Sequence, residues 1–320
     1  MRLHEDKEAF RALLLDVGQT HGIRADILEK DYYVVLMLRE LAAKQSVLPA
    51  YFKGGTALYK TLHCIRRFSE DIDLTVSMED CTSESAKKKR VENAAKDYIS
   101  LPLLESTENR TGSRSVTRVY AYDSLFPIGD DPLQRFGRVK IEATSFTKSE
   151  PHDLIEIAPA VYDLTNDENK TILRGTFGVC PFWITTIKLE RIFMDKIFAA
   201  EFYYAIPEER RYVETAKHVY DLAVLSALPE IGALFGDERM CAYLAGLKRE
   251  EEGVRHNSNL KNKPFSEFTI FDEYHTNNEF MRAYASMQRI YVPDAKDVIP
   301  VDKLRKAVDE ICRRIKTWNF

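Results

Sequence analysis

Two aspartates separated by one residue, Asp71 and Asp73, stand in an alternating segment that ends at Val76. Successive side chains of a β-strand point to opposite faces of the sheet, so the two carboxylates are expected on the same face. Carboxylates this close repel each other unless a cation lies between them. Mg²⁺ is the natural cation, because it prefers oxygen ligands and is usually completed by substrate phosphates. The pair therefore predicts a magnesium site.

A glycine turn precedes the aspartates, at Gly54, Gly55 and Thr56. Glycines let the backbone turn tightly and approach a ligand, and backbone N–H groups arranged in such a turn bind anions. Ser69 lies two residues before Asp71 and is expected either to contact a phosphate or to cap the turn. Together with the acids, these residues predict a site for a nucleoside triphosphate.

A third carboxylate is expected near the pair if two Mg²⁺ ions are bound, because two-metal sites stabilise both the attacking and the leaving oxygen of a phosphoryl transfer. Glu142 is the first candidate, since it lies in an alternating segment on the side opposite Ile141. Glu156 is the second candidate. The alternative for either residue is an exposed carboxylate on a strand.

Two further charged residues lie on helical apolar stripes. Lys196 is flanked at helical spacing by Ile192 and Phe193, so its ammonium must find an anion, such as a triphosphate, or extend to solvent. Asp221 lies at the edge of a core stripe, where the alternative to an active-site role is an ion pair with Lys217.

These residues must be positioned by an N-terminal mixed α/β region and a helical C-terminal region. Hydrophobic periodicity predicts an α+β fold, with a small mixed sheet and flanking helices in residues 1–180 and a helical lobe in residues 181–320. The cleft between the lobes is the expected ligand site. The predicted strands are 71–76, 115–122, 136–146 and 154–157, and the predicted helices are 6–19, 24–43, 57–63, 79–99, 185–204, 209–226, 230–250 and 301–317.

Composition narrows the class of protein. The 320 residues are 45% hydrophobic and 30% charged, which suffices for a packed core, and the formal net charge of −4 gives no global attraction to nucleic acid. Five cysteines without a CxxC spacing favour reduced thiols in a cytoplasmic protein. No apolar segment is long enough to suggest a membrane span or a signal peptide.

The sequence resembles the AbiEii/AbiGii nucleotidyltransferase toxins of the polymerase-β-like superfamily. Four segments carry the resemblance, in order along the chain: Glu29-Lys30-Asp31-Tyr32-Tyr33, Lys53-Gly-Gly-Thr-Ala-Leu58 with Arg67-Phe-Ser-Glu-Asp-Ile-Asp73, Glu190-Arg-Ile-Phe-Met-Asp-Lys196, and Lys217-His-Val-Tyr-Asp-Leu222. The resemblance implies Mg²⁺-dependent transfer of a nucleoside monophosphate from an NTP to an acceptor, often the 3′ end of tRNA. It also implies a toxin of a toxin–antitoxin or phage-defence system, restrained by a cognate antitoxin.

By these motifs, the resemblance implies that Asp71 and Asp73 are metal ligands, Ser69 contacts phosphate, Lys196 contacts the triphosphate and Asp221 is a second active-site acid. The sequence departs from the pattern at Thr56, where serine is usual, and at Lys217, where arginine is usual. The gap of fourteen residues between Thr56 and Asp71 is longer than usual. These departures bear on the choice of nucleotide.

Two other functions remain open from the sequence. The acceptor is alternatively a protein side chain or a small molecule such as an aminoglycoside. The chain is alternatively a catalytically idle module that binds a partner protein, although the intact acids and Lys196 argue against this. Basic residues along the cleft rim would favour RNA, because clustered cations bind phosphates.

Overall fold

The computed structural model describes residues 2–127, 136–205 and 211–320. Part of the predicted helix 209–226 lies outside the described residues. The chain divides into two compact units. The first unit comprises Met1–Ser145 and His152–Ile187, and the second comprises Phe146–Pro151 and Lys188–Phe320. The division into 1–180 and 181–320 stays a prediction about domain boundaries.

The first unit is built on one mixed β-sheet, so the predicted α+β fold is confirmed. Its described strands are β1 (Ala50–Lys53), β2 (Ile72–Val76), β3 (Arg110–Thr111), β4 (Ser115–Ala121), β5 (Arg138–Thr144), β6 (His152–Ile157) and β7 (Phe182–Ile187). They lie in the order β3-β4-β5-β2-β1-β7-β6. β2 pairs in parallel with β5 and β1 in parallel with β7, whereas the remaining pairs are antiparallel.

Helices of the first unit supply the apolar side chains that cover the sheet. They are α1 (Lys7–His21), α2 (Ala25–Lys44), α3 (Gly54–Thr61), α4 (Glu84–Ala95), α5 (Ala160–Leu164) and α6 (Asp167–Phe177). The predicted stripe of α2, which includes Leu28, Val35 and Leu38, is buried. α1 ends at Gly22, which adopts the left-handed conformation typical of a helix C-terminus, with φ of 68°.

Every regular element in the described part of the second unit is a helix. These helices are α7 (Leu189–Ala205), α8 (Tyr212–Leu225), α9 (Pro229–Leu234), α10 (Glu238–Glu252), α11 (Ile270–Glu273), α12 (Asn278–Tyr291) and α13 (Val301–Ile315). The predicted face of α13 is buried, with Leu304, Val308 and Ile311 directed inwards. No helix among the described residues is long and apolar enough to cross a membrane.

The structure corrects several predicted boundaries. The predicted helix 185–204 begins only at Leu189, because residues 182–187 form β7. Phe182-Trp-Ile-Thr-Thr-Ile187 is rich in β-branched and aromatic residues, which favour strands. The short helix predicted at 57–63 begins at Gly54, so the glycine turn is itself the start of a helix.

Candidate active site

The sheet register places the third predicted acid beside the aspartates. β2 and β5 run in parallel with Asp73 opposite Glu142 and Ile72 opposite Ile141. Both isoleucines are buried, so Asp73 and Glu142 lie on the other face of the sheet, away from the helices that cover the isoleucines. Asp71 directly precedes β2 rather than lying on it.

Glu156 is far from these acids in the sheet. It lies on β6, which is separated from β2 by β1 and β7, and it faces Trp183 in the register. Of the two predicted third carboxylates, the structure therefore brings Glu142 next to Asp73 and leaves Glu156 at the opposite edge of the sheet.

A lysine that the sequence did not single out lies among the acids. The ammonium of Lys140 is 2.9 Å from Asp71 Oδ2 and 2.8 Å from Glu142 Oε1. Burial opposes its charge, but the Asp71 and Glu142 carboxylates outweigh that effect and raise the pKa of Lys140. The available signal was its position two residues before Glu142, which puts both side chains on one face of the strand.

Only glycine fits at position 54, because the Asp73 carboxylate lies close to the backbone there. It has a φ of 82°, and a Cβ atom placed on it would lie 2.3 Å from Asp73 Oδ2. Any other residue would be strained in this conformation and would collide with the carboxylate. The predicted glycine turn thus faces the aspartates directly, with the backbone at the start of α3 packed against Asp73.

The second glycine faces the predicted phosphate contact. A Cβ atom on Gly55 would lie 2.7 Å from Ser69 Oγ and 2.8 Å from Arg67 Nη2. The Thr56 hydroxyl donates to the Asp71 carbonyl oxygen at 2.6 Å and lies 3.1 Å from Ser69 Oγ. Thr56 is buried and fixes the backbone of the aspartate segment, whereas Ser69 is partly exposed.

Two charged residues of α2, Lys30 and Asp31, contact the elements that carry the site. Asp31 forms an ion pair with Lys60 and accepts a hydrogen bond from the Ala160 N–H at 2.7 Å. Lys30 donates to the carbonyl oxygen of Arg138, the first residue of β5. Burial lowers the pKa of Lys30 to about 8, despite the attraction of Glu70 and Asp71.

The donor set suits Mg²⁺ in its chemistry, because Asp71, Asp73 and Glu142 offer hard carboxylate oxygens. The Lys140 ammonium already lies between two of these carboxylates, so this position accommodates a positive charge. Among the described residues, no three His, Cys, Asp or Glu side chains are arranged to hold a metal ion.

The two other predicted residues, Lys196 and Asp221, form an ion pair within the second unit. Lys196 Nζ, on α7, is 2.7 Å from Asp221 Oδ2, on α8, and both side chains are buried. The lysine thus has an internal anion and does not extend to solvent. The alternative pair of Asp221 with Lys217 is not formed: Lys217 pairs with Glu214 at 2.9 Å and lies over the Tyr291 ring.

Comparison with known proteins identifies a family and a solved structure that are similar to this chain. The model of the AbiEii family, described as a nucleotidyl transferase toxin of type IV toxin–antitoxin systems, matches residues 36–313. MenT4, a nucleotidyltransferase toxin from Mycobacterium tuberculosis H37Rv, shares the fold with a TM-score of 0.51. Its sequence is 17% identical, and the match covers 95% of each chain. A search of the curated proteins found no match.

Proposed function

Because this chain belongs to the AbiEii family of nucleotidyltransferase toxins, it is an NTP-dependent nucleotidyltransferase, and we propose that its acceptor is RNA. Within that class, the 3′ end of tRNA is the preferred acceptor, the reaction depends on Mg²⁺, and the protein acts in the cytoplasm. Membership of a type IV toxin–antitoxin family implies a cognate antitoxin, and phage defence is the proposed biological role.

One observation carries the proposal: the contact of Gly54 with Asp73, beside Glu142 in the parallel register. It brings a helix start, whose first N–H groups have no partner within the helix, next to carboxylates, so that anion and cation binding are combined in one place. Carboxylates of Asp71, Asp73 and Glu142 would hold Mg²⁺ together with the substrate phosphates, because no three described side chains are arranged to hold a metal ion by themselves. The ion would neutralise the phosphates and lower the pKa of the attacking hydroxyl.

The chain's own residues have separate proposed roles in the transfer. The acceptor hydroxyl attacks the α-phosphorus of the NTP, the bond to the β-phosphate oxygen breaks, and pyrophosphate leaves. Glu142 is the candidate that receives the hydroxyl proton. Gly54, Gly55 and Ser69 would bind phosphate oxygens, and Thr56 would hold the Asp71 backbone in place.

Two residues of the second unit are retained in the proposal. By the family motifs, Lys196 would contact the triphosphate and Asp221 would act as a second active-site acid. Their buried ion pair supports a shared role, because a lysine beside a fully buried carboxylate is held in one orientation.

Label transfer tests the proposal. The protein is incubated with each α-³²P-labelled NTP, together with total RNA, a protein extract or an aminoglycoside. We expect Mg²⁺-dependent labelling of RNA by the wild type and by the control Asp167→Asn, an exposed aspartate, and no labelling by Asp73→Asn. Labelled protein or aminoglycoside would show that the acceptor is wrong. Equal labelling by Asp73→Asn would show that the site is wrong.

A further inference from the structure

Lys140 lies between the carboxylates of Asp71 and Glu142. It lies on β5, two residues before Glu142, and contacts one oxygen each of Asp71 and Glu142. The Lys140 side chain is 25% exposed, whereas those of Asp71 and Glu142 are 35% and 41% exposed. The ion pairs are therefore partly shielded from solvent, and they join β5 to Asp71, the residue that directly precedes β2.

The acids would repel one another without this cation. Asp71 and Asp73 are one residue apart, and Glu142 lies directly opposite Asp73. Three like charges so close destabilise the folded chain unless a positive charge lies among them. Lys53 faces Asp73 from β1, on its other side. The contacts of Lys140 with Asp71 and Glu142 thus stabilise this part of the sheet before any ligand binds.

A divalent ion needs the same carboxylate oxygens. Mg²⁺ and Mn²⁺ bind carboxylates at close range with twice the charge of an ammonium group, so they replace a lysine where the two compete. The positive charge of Lys140 also opposes the approach of the metal. Competition with Lys140 for the carboxylate oxygens and repulsion by its charge both lower the affinity of the site for a metal ion that binds without nucleotide phosphates.

We propose that Lys140 is a positioning residue that holds Asp71 and Glu142 in place in the metal-free protein and is displaced from them when a divalent ion binds. This inference rests on the proposed function, because it assumes that these carboxylates are the metal ligands. Lys140 makes metal loading depend on the NTP, whose phosphates supply the extra ligands needed to displace it.

Metal binding without nucleotide tests this role. Mn²⁺ is titrated into the full-length protein, and free Mn²⁺ is followed by electron paramagnetic resonance. Lys140→Met removes the charge and keeps most of the side-chain volume, so we expect Mn²⁺ to bind at least about tenfold more tightly. Lys140→Arg keeps the charge and should bind like the wild type. The matched control is Lys148→Met, which removes an exposed ion pair with Glu250 in the second unit.

Thermal unfolding without metal supplies the second readout. Lys140→Met should unfold at a lower temperature than the wild type without metal, and Mn²⁺ should stabilise the variant more than the wild type. If Lys140→Met does not fold, Lys140→Gln takes its place, because it keeps a hydrogen-bond donor without the charge.

The outcomes separate the two proposals. Unchanged Mn²⁺ affinity and unchanged metal-free stability in the Lys140 variants, with binding abolished in Asp73→Asn, would overturn the role of Lys140 alone. Weaker Mn²⁺ binding in Lys140→Met would also overturn it. Absence of Mn²⁺ binding by the wild type, with and without NTP, would instead overturn the metal site of the proposed function.

Discussion

Lys30 shows how a single buried charge affects the stability of this protein. Its side chain is 1% exposed, and burial lowers its pKa to about 8 from 10.5. The unfolded chain therefore binds more protons than the folded chain between these pKa values, so the free energy of unfolding rises with pH in that interval. Below about pH 8 the cost of burying the charge is fully present.

We expect Lys30→Met to remove this pH dependence. Raising the pH from about 7.5 to about 10 should stabilise the wild type relative to Lys30→Met by about 2 kcal/mol, since one pKa unit corresponds to about 1.4 kcal/mol. Urea unfolding at the two pH values measures the difference, and Lys89→Met, on the exposed face of α4, is the control. A constant difference between wild type and Lys30→Met would contradict the lowered pKa.

The sequence predicts some side-chain positions and not others. The spacing of Asp71 and Asp73 is local, so strand geometry alone predicts that they share a face. The role of Lys140 depends on β5 lying beside β2 in a particular register, which no local pattern contains. The Lys196–Asp221 pair joins two helices, so local spacing could offer only Lys217, the alternative that is not formed, as a partner for Asp221.

Buried ion pairs also connect elements of the second unit. Arg191 on α7 pairs with Glu251 on α10, and both side chains are buried. Glu251 also accepts a hydrogen bond from the Lys148 N–H at 2.6 Å and contacts Lys248 at 3.0 Å. One carboxylate thus joins α7, α10 and the segment 146–151.

We expect Glu251→Ala to destabilise the protein by about 3–5 kcal/mol, because it leaves the buried Arg191 without its closest carboxylate. The neighbouring Glu250→Ala is the matched control: Glu250 is 65% exposed and pairs with Lys148 at 3.3 Å, so its loss should cost less than about 1 kcal/mol. Urea unfolding compares the two variants. Similar losses for both would show that burial does not strengthen the Glu251 contacts.

The predicted helices 24–43 and 301–317 were right because their apolar periodicity is long, whereas the predicted helix 230–250 is divided into α9 and α10. α2 and α13 have buried stripes that the sequence displays plainly. α6 was missed because Leu173 is its only buried residue, so it has no apolar stripe. β1 was missed because four residues are too few to show alternation. Elements such as α6 and β1 are stabilised by contacts with neighbouring elements of the fold, and their own sequence pattern does not predict them.

The whole molecule combines two units whose division is not contiguous in sequence. Residues 146–151 belong to the second unit although they connect β5 and β6 of the first. Hydrophobic periodicity predicts that the helical region begins near residue 185, but it does not predict that residues 146–151 belong to it. The formal net charge of −4 likewise does not predict where on the chain a phosphate would bind.

The buried Lys196–Asp221 pair determines how a role for the second unit in the reaction can be tested. Removing only Lys196 leaves Asp221 buried without its cation, which destabilises the folded protein by about 3–5 kcal/mol. A lower transfer rate of that variant could then result either from unfolding or from the loss of a group that takes part in the reaction. Replacing both residues with apolar ones of similar volume is often neutral or stabilising. The double variant Lys196→Met/Asp221→Leu therefore separates the two effects.

We expect Lys196→Met/Asp221→Leu to fold with wild-type or higher stability and to transfer nucleotide at least about tenfold more slowly, which is about 1.4 kcal/mol in the activation free energy. Initial rates of label transfer to RNA and thermal unfolding measure the two effects on the same preparations. Lys296→Met serves as the control, because it removes an exposed lysine of the second unit that pairs with Asp294. Since Lys296 pairs locally and lies outside the family motifs, its loss should leave the rate within about twofold of the wild type. A double variant that folds and transfers nucleotide at the wild-type rate would limit the Lys196–Asp221 ion pair to a structural role.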